Sequence, residues 1–229
     1  VESESEGFSD EKIKLPEKML STDKAYTWGE IEKWLERISK FSEEINIQLS
    51  EIQIKGTAKL DGFAGYDDGK KLYTRGDGNK GSDISRVFQR GLGILNDSER
   101  GQGPGEIVVK RSYFEDHLSN DFEYPRNFQA SLIKEKELDK FARDAIDAKA
   151  ALFVPFKQLP IWKGDIHEFK NQFLDIVIKL EEDVDFDIDG VVFEIVNPEL
   201  KEFMGSNRKF HRWQIAYKEN KEKAQVKVI

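Results

Sequence analysis

Lys59, Asp61 and Gly62 close a strand-like run, "EIQIKGTAKLDG", and a glycine-rich segment, "YTRGDGNKGSD", follows them. On a strand, positions 59 and 61 share a face, so an amine and a carboxylate stand side by side. Such a pair suits covalent catalysis by lysine. An ordinary lysine titrates at about 10.4, so making it neutral near pH 7.4 costs roughly 4 kcal/mol. A nucleophilic lysine therefore needs burial, cationic neighbours, a metal ion or a nearby base. The same residues also fit an ordinary surface ion pair. Arg75, Gly76, Asp77, Gly78 and Gly81 form a loop whose backbone can approach a phosphate, with an arginine beside it. Such a loop is equally compatible with a plain turn.

Further candidates lie downstream. Glu106 opens the strand "GEIVVKR" after the flexible "RGQGPG". Arg126 and Asn127 precede a helix in "YPRNFQAS". Asp189 and Gly190 repeat the Asp-Gly-strand theme in "DIDGVVFEI", and Lys218 ends the apolar strand of "HRWQIAYKEN". Taken singly, each has a structural explanation as an edge carboxylate, helix start, turn or amphipathic strand.

The elements that must position these residues follow from periodicity and caps. Thr27 with Glu30 three residues on is a capping box. Ile31, Trp34, Leu35, Ile38 and Phe41 then recur at helical spacing. Asp165 caps a second amphipathic helix, with Ile166, Phe169, Phe173, Ile176, Val177 and Leu180 on one side. A short helix capped by Asp83, another over "EKELDKFARDAIDAKA" and a last one in "NPELKEFMG" complete the helical set. "FAGY", then "DDG", then "KKLYTRGDG" reads as a hairpin, and "ALFVPFKQL" and "FDIDGVVFEIV" read as buried strands. Helices and strands interleave without a βαβ period, which predicts an α+β fold of antiparallel sheets flanked by helices. Residues 1–15 begin acidic and poor in apolar side chains and are expected to be a disordered tail, with one domain over 16–229.

Composition removes several function classes. The 229 residues contain no cysteine, which excludes disulfides, thiol catalysis and cysteine-ligated zinc. Three scattered histidines do not suggest a histidine metal cluster. No apolar run reaches membrane-spanning length and no signal segment is visible, so a cytoplasmic protein is expected. A net charge of −8 argues against binding nucleic acid through the whole surface, although Arg208, Lys209, His211 and Arg212 form a local basic patch.

The order of the motifs narrows the choice. Lys-x-Asp-Gly, Arg-Gly-Asp-Gly, Gly-Glu on a strand, Pro-Arg-Asn, Asp-Gly-Val-Val and Arg-Trp-x-Ile-Ala-Tyr-Lys together resemble the adenylation domain of NAD-dependent DNA ligases, from about Leu20 to Lys218. "MLSTDKAY" is similar to that family's nucleotide-side segment. The resemblance implies a nucleotidyltransferase fold and NAD as the AMP donor, with Mg2+. Lys59 would be the nucleophile that becomes lysyl-AMP, assisted by Asp61. Glu106 would hold the ribose hydroxyls, Arg75 and Arg126 would lie near phosphate and ribose, and Ser21 would lie on the adenine side. Asp189 would help place the metal and Lys218 would grip the α-phosphate. Trp213 is expected to pack the last strand. The implied partner is nicked double-stranded DNA, bound weakly by this chain alone. The family's OB-fold, zinc-finger, helix-hairpin-helix and C-terminal domains are expected to be absent from the chain, leaving room for a second ligase subunit. Two alternatives stay open: an ATP-using DNA or RNA ligase, and a degenerate domain that binds a nucleotide or partner without catalysis.

Five positions depart from the family pattern. Thr57 replaces a glutamate, Thr22 and Lys24 replace leucine and asparagine, and Pro104 replaces an arginine. The largest departure is Glu194, where the family has a lysine. Two unit charges about 4 Å apart at an effective dielectric of 20 interact by about 4 kcal/mol. Glu194 is therefore expected to turn away, or to be compensated by a metal, Arg208 or Lys209, or to impair self-adenylation.

Overall fold

Along Gln53–Leu60 the side chains alternate strictly: Ile54, Gly56, Ala58 and Leu60 are buried, while Gln53, Lys55, Thr57 and Lys59 are half-exposed. This period of two makes the stretch a strand with one face in a core and one face polar. The computed structural model describes residues 12–135 and 137–219. In chain order the strands and helices are β1 (Ile13–Lys14), β2 (Ser21–Ala25), α1 (Trp28–Glu44), β3 (Gln53–Leu60), β4 (Phe63–Asp67), β5 (Leu72–Thr74) and β6 (Lys80–Gly81). Then come α2 (Arg86–Gln89), β7 (Gly93–Ile94), β8 (Gly103–Val109), α3 (Arg111–His117), α4 (Pro125–Lys134), α5 (Lys140–Asp147) and β9 (Ala151–Pro155). The series ends with β10 (Trp162–Asp165), α6 (Ile166–Glu182), β11 (Ile188–Ile195), α7 (Pro198–Met204) and β12 (Phe210–Tyr217).

The chain divides into two units, each with its own core. One comprises Ser21–Lys59, Pro160–Val184 and the residues from Ile188 onward. Its sheet has the order β10-β3-β11-β12-β2; β10–β3 and β11–β12 are antiparallel and β12–β2 is parallel. Ile54, Val191, Phe193, Ile195 and Ile215 pack against α1 through Ile31, Trp34 and Ile38, against α6 through Phe169, Phe173 and Leu180, and against α7 through Leu200. Both long helices start as their caps dictate. Thr27 and Glu30 form a reciprocal capping box, as do Asp165 and Glu168. Burying a side chain such as Phe169 completely contributes roughly 1.5–3 kcal/mol. Trp213 packs against this core, with His211 stacked on it at 4.4 Å.

The other unit comprises the segment up to Leu20, Leu60–Leu159 and Asp185–Asp187. Its main sheet has the order β5-β4-β8-β9-β7, antiparallel except for β7–β9, and β1 pairs with β6. Ile107, Val109 and Phe153 pack against Phe114 of α3, Phe128 and Leu132 of α4 and Ala145 of α5. The fold is thus α+β, with antiparallel sheets that each accept one parallel strand.

Several local expectations change. Of the tail expected over 1–15, residues 1–11 lie outside the described residues, but Ile13–Lys14 is a strand and Leu15 is buried, because β6 gives this segment a partner. Arg126 and Asn127 lie inside α4, which starts at Pro125. Strand β8 ends at Val109 and Arg111 begins α3, where Ser112 bonds Asp185 at 2.6 Å. The short helix expected after Asp83 is present, but Ser85 and not Asp83 stands at its N-cap position. Asp83 Oδ1 takes the Ser85 amide at 2.9 Å, and α2 is a single turn.

A buried carboxylate fastens the β4 end of this second unit. Asp67 is fully buried, 2.8 Å from Arg100, and accepts the amides of Gly69, Gly101 and Gln102 at 3.1, 2.7 and 3.3 Å. Burial alone would raise its pKa, but the Arg100 hydrogen bond and these amides outweigh burial and hold it below the ordinary carboxylate value. We expect Asp67→Asn to destabilise the fold by about 2 kcal/mol at neutral pH, less than a fully buried pair because Arg100 is partly exposed. The folded pKa is depressed, so this stabilisation is complete above the unfolded value of about 3.9 and is lost as pH falls through the folded one. Thermal melts of both proteins from pH 3 to 7 should show a gap that is constant above about pH 5 and closes in acid. A gap independent of pH would remove the charge from this account.

Candidate active site

In the first unit, two ammonium groups converge on one carboxylate oxygen. Lys59 Nζ lies 3.3 Å from Asp189 Oδ2, and Lys218 Nζ lies 2.5 Å from the same atom. Lys59 comes from the polar face of β3, Asp189 from the start of β11, and Lys218 follows β12, where its amide donates to Ala25 O at 2.9 Å. Burial would raise the Asp189 pKa, but the hydrogen bond from Lys218 and the charge of Lys59 prevail and lower it. Asp189 is therefore ionised at neutral pH and holds both ammonium groups on one oxygen.

Gly190 makes this convergence possible. The pairs Lys59–Asp189 and Lys55–Glu194 are four residues apart on β3 but five apart on β11. In a regular strand, five residues would put the two carboxylates on opposite faces. Gly190 resets the alternation with φ of 104°, and a Cβ there would stand 2.1 Å from Tyr217 O. Only glycine meets both conditions.

In the second unit, Asp61 lies beyond the end of β3, so the same-face rule does not govern it. Arg126 of α4 donates to Asp61 Oδ1 at 3.1 Å, and Gln129 donates to Asp61 O at 2.9 Å. Gln129 is fully buried and accepts the Val109 amide at 2.9 Å, so one side chain ties the end of β8 to Asp61. The sequence reading missed this residue; a glutamine on the apolar face of a helix was the available signal. Glu106, also buried, accepts the Gly62 amide at 3.2 Å. A Cβ at Gly62 would lie 2.2 Å from Ile107 O, which explains the glycine after Asp61. Arg75 begins the turn that its glycines permit, and its carbonyl accepts from Gly78 N at 2.9 Å. Gly76 and Gly78 have positive φ, and Asp77 takes the amides of Asn79 and Lys80 at 2.8 Å each, so local geometry alone accounts for these residue types. Ser21 starts β2 in the first unit, in register with Phe210. Among the described residues, no group of three or more histidine, aspartate or glutamate side chains is placed to hold a metal ion.

Glu194 does have compensation, from residues other than those anticipated. Its Oε1 lies 2.8 Å from Lys55 and 3.0 Å from Lys201, and its Oε2 accepts from Gln214 at 3.1 Å. Lys55, Lys201 and Gln214 come from β3, α7 and β12, so no local sequence signal joined them. Burial would raise the Glu194 pKa, but the Lys55 hydrogen bond and the Lys201 charge lower it. Lys201 also lies 4.2 Å over the Trp213 ring.

In the first unit Lys59, Asp189 and Lys218 thus form a charged cluster, and in the second unit the buried Glu106 accepts the Gly62 amide. The family model of the NAD-dependent DNA ligase adenylation domain matches residues 8–142, and the chain belongs to that family. It is 62% identical over 229 residues to a DNA ligase of Ruthia magnifica subsp. Calyptogena magnifica, covering 100% of this chain and 37% of that protein. It is also 62% identical to a DNA ligase of Vesicomyosocius okutanii subsp. Calyptogena okutanii, covering 100% and 36%, and 53% identical over 227 residues to one of Psychromonas ingrahamii, covering 99% and 35%. The chain spans about a third of the length of these curated relatives.

The Glu194 cluster has a direct consequence. Glu194→Lys would set three ammonium groups together, so it should destabilise the protein by about 2 kcal/mol or more, and Glu194→Gln by less. Urea unfolding of the three proteins measures this. A Glu194→Lys protein as stable as the parent would show that the lysines do not depend on the carboxylate.

Proposed function

We propose that this domain transfers AMP to Lys59 as the first step of DNA nick sealing by the whole protein. The observation that carries the reading is the convergence of Lys59 and Lys218 on Asp189 in a chain of this family. In the proposed step Lys59 Nζ gives a proton to solvent water and, as the neutral amine, bonds to the α-phosphorus of NAD. The bond from that phosphorus to the bridging oxygen breaks, and nicotinamide mononucleotide leaves. Lys218 donates to the α-phosphate, whose negative charge takes the place of Asp189 opposite the lysines. Only a neutral amine can attack, so Lys59 must lose its proton before the bond forms.

The remaining roles follow the resemblance. Asp61 is held by Arg126 and follows Lys59 in the chain by two residues, which supports a role in positioning the strand end. Glu106 is proposed for the ribose hydroxyls, Arg75 and Arg126 for phosphate and ribose, and Ser21 for the adenine side. Mg2+ is proposed from the resemblance, and Asp189 is the one carboxylate proposed to help place it, with water and phosphate oxygens supplying the remaining ligands. When bound, the ion would offset phosphate charge. Nicked double-stranded DNA is the proposed substrate of the whole protein. No helix of the described residues is long and apolar enough to cross a membrane, which is compatible with the proposed cytoplasmic location.

Intact-mass measurement after incubation with Mg2+ and either NAD or ATP tests the reading. We expect one adenylyl group on the parent chain with NAD, or with NAD once the rest of the ligase is supplied, and none on Lys59→Ala or Lys59→Arg. Guanidinium stays charged, so arginine does not substitute. An adduct on either variant would remove Lys59 from the role, and an adduct with ATP alone would change the donor.

A further inference from the structure

We propose that Gln129 is a positioning residue for the transfer step: its side-chain amide stands in for a missing backbone pairing and so fixes Asp61, the residue two places after Lys59. This role rests on the reading of the domain as an AMP-transferring one. Gln129, Asp61, Val109 and Glu106 all belong to the second unit. In its sheet β4 and β8 are antiparallel, with Ala64 opposite Glu106 and Phe63 opposite Ile107. Continued by two residues, this register would set Asp61 opposite Val109. The ladder ends at Phe63 instead, and Gln129 of α4 spans the next position. It accepts the Val109 amide at 2.9 Å and donates to Asp61 O at 2.9 Å, so one side-chain amide joins the two residues that the register would pair next. Asp61 in turn gives its own amide to Asp187 O at 2.9 Å.

The chemistry of the side chain fits this role. Gln129 is fully buried on α4, next to Phe128 and one turn from Leu132 and Ile133 of the apolar core. A buried amide is costly unless both of its groups are bonded, and here both are. An N–H on one side and a carbonyl on the other require a group that accepts and donates at once. An ionised carboxylate only accepts, and a thioether cannot donate. Arg126, one helical turn before Gln129, donates to Asp61 Oδ1 at 3.1 Å. Helix α4 thus holds Asp61 by its carboxylate and by its carbonyl, and Asp187 holds it by its amide. Glu106 of β8 accepts the next amide, that of Gly62, at 3.2 Å. Gln129 keeps Asp61 at one amide's width from β8 with its carboxylate turned to Arg126. Leu60 alone separates Asp61 from Lys59, so a shift of Asp61 reaches the nucleophile through the backbone.

The test is single-turnover formation of lysyl-AMP by the whole ligase that carries this domain, read by intact mass over a series of NAD concentrations. Gln129→Met keeps the length of the side chain and loses both bonds. Leu132→Ala, buried on the same helix, is the control for lost packing alone. We expect Gln129→Met to lower the maximal rate about tenfold or more and to change the half-saturating NAD concentration by less than about twofold. Leu132→Ala should keep the maximal rate within about twofold at temperatures below its melt, although its melting temperature falls as well. Hydrogen exchange of the Asp61, Gly62 and Val109 amides should quicken about tenfold or more in Gln129→Met. A Gln129→Met rate within about twofold of the parent overturns the proposal, as does an equal loss of rate in Leu132→Ala or unaltered exchange at the three amides. Should Gln129→Met fail to fold, Gln129→Asn takes its place, since its amide is too short to reach both partners, and the same outcomes apply. A parent ligase that forms no lysyl-AMP overturns the transfer reading and the positioning role with it. An adduct-forming parent with an indifferent Gln129→Met overturns the positioning role alone.

Discussion

One oxygen of Asp189 bonds two ammonium groups that arrive from positions 159 residues apart in sequence, and the polar face of its sheet is arranged around that contact. A carboxylate between two lysines is stable because charge attraction exceeds the cost of partial burial, and the lowered pKa of Asp189 records this balance. In the proposed AMP transfer the same arrangement would offer the two lysines to a phosphate, as electrostatic preorganisation requires. Gly190 is the backbone condition for it, since a strand without that left-handed residue would turn Asp189 into the opposite face.

The carboxylates of this chain do different work because their surroundings differ. Asp67 is enclosed by an arginine and three amides and fastens a strand end. Glu106 is buried beside the Gly62 amide, and Asp61 is oriented by Arg126 and by the buried Gln129. Glu194 sits among donors from three different elements. A lysine at position 194 would have needed carboxylates there, so the departure at 194 is tied to the lysines at 55 and 201. The cost of a reversed charge, read from one position alone, is largely removed by these neighbours.

Much of this was legible in the chain of letters. Thr27 with Glu30 and Asp165 with Glu168 announced both long helices, because capping is a local hydrogen-bond pattern. The alternation through Gln53–Leu60 announced the strand and its faces, and the ordered motifs around Lys59, Asp189 and Lys218 announced the family. Tertiary structure decided the partners. The strand β3 ends at Leu60, and Arg126 of α4 bonds the Asp61 carboxylate, a partner that no spacing in the sequence announced. Arg208 and Lys209 were nearer to Glu194 in kind than in place, and Lys55 and Lys201 hold it instead. Spacing along one strand states which face a residue takes, but the residue opposite is set by sheet order and register. A single left-handed glycine can reverse the faces, and long-range pairing depends on the summed packing of both cores, which no short window of sequence contains.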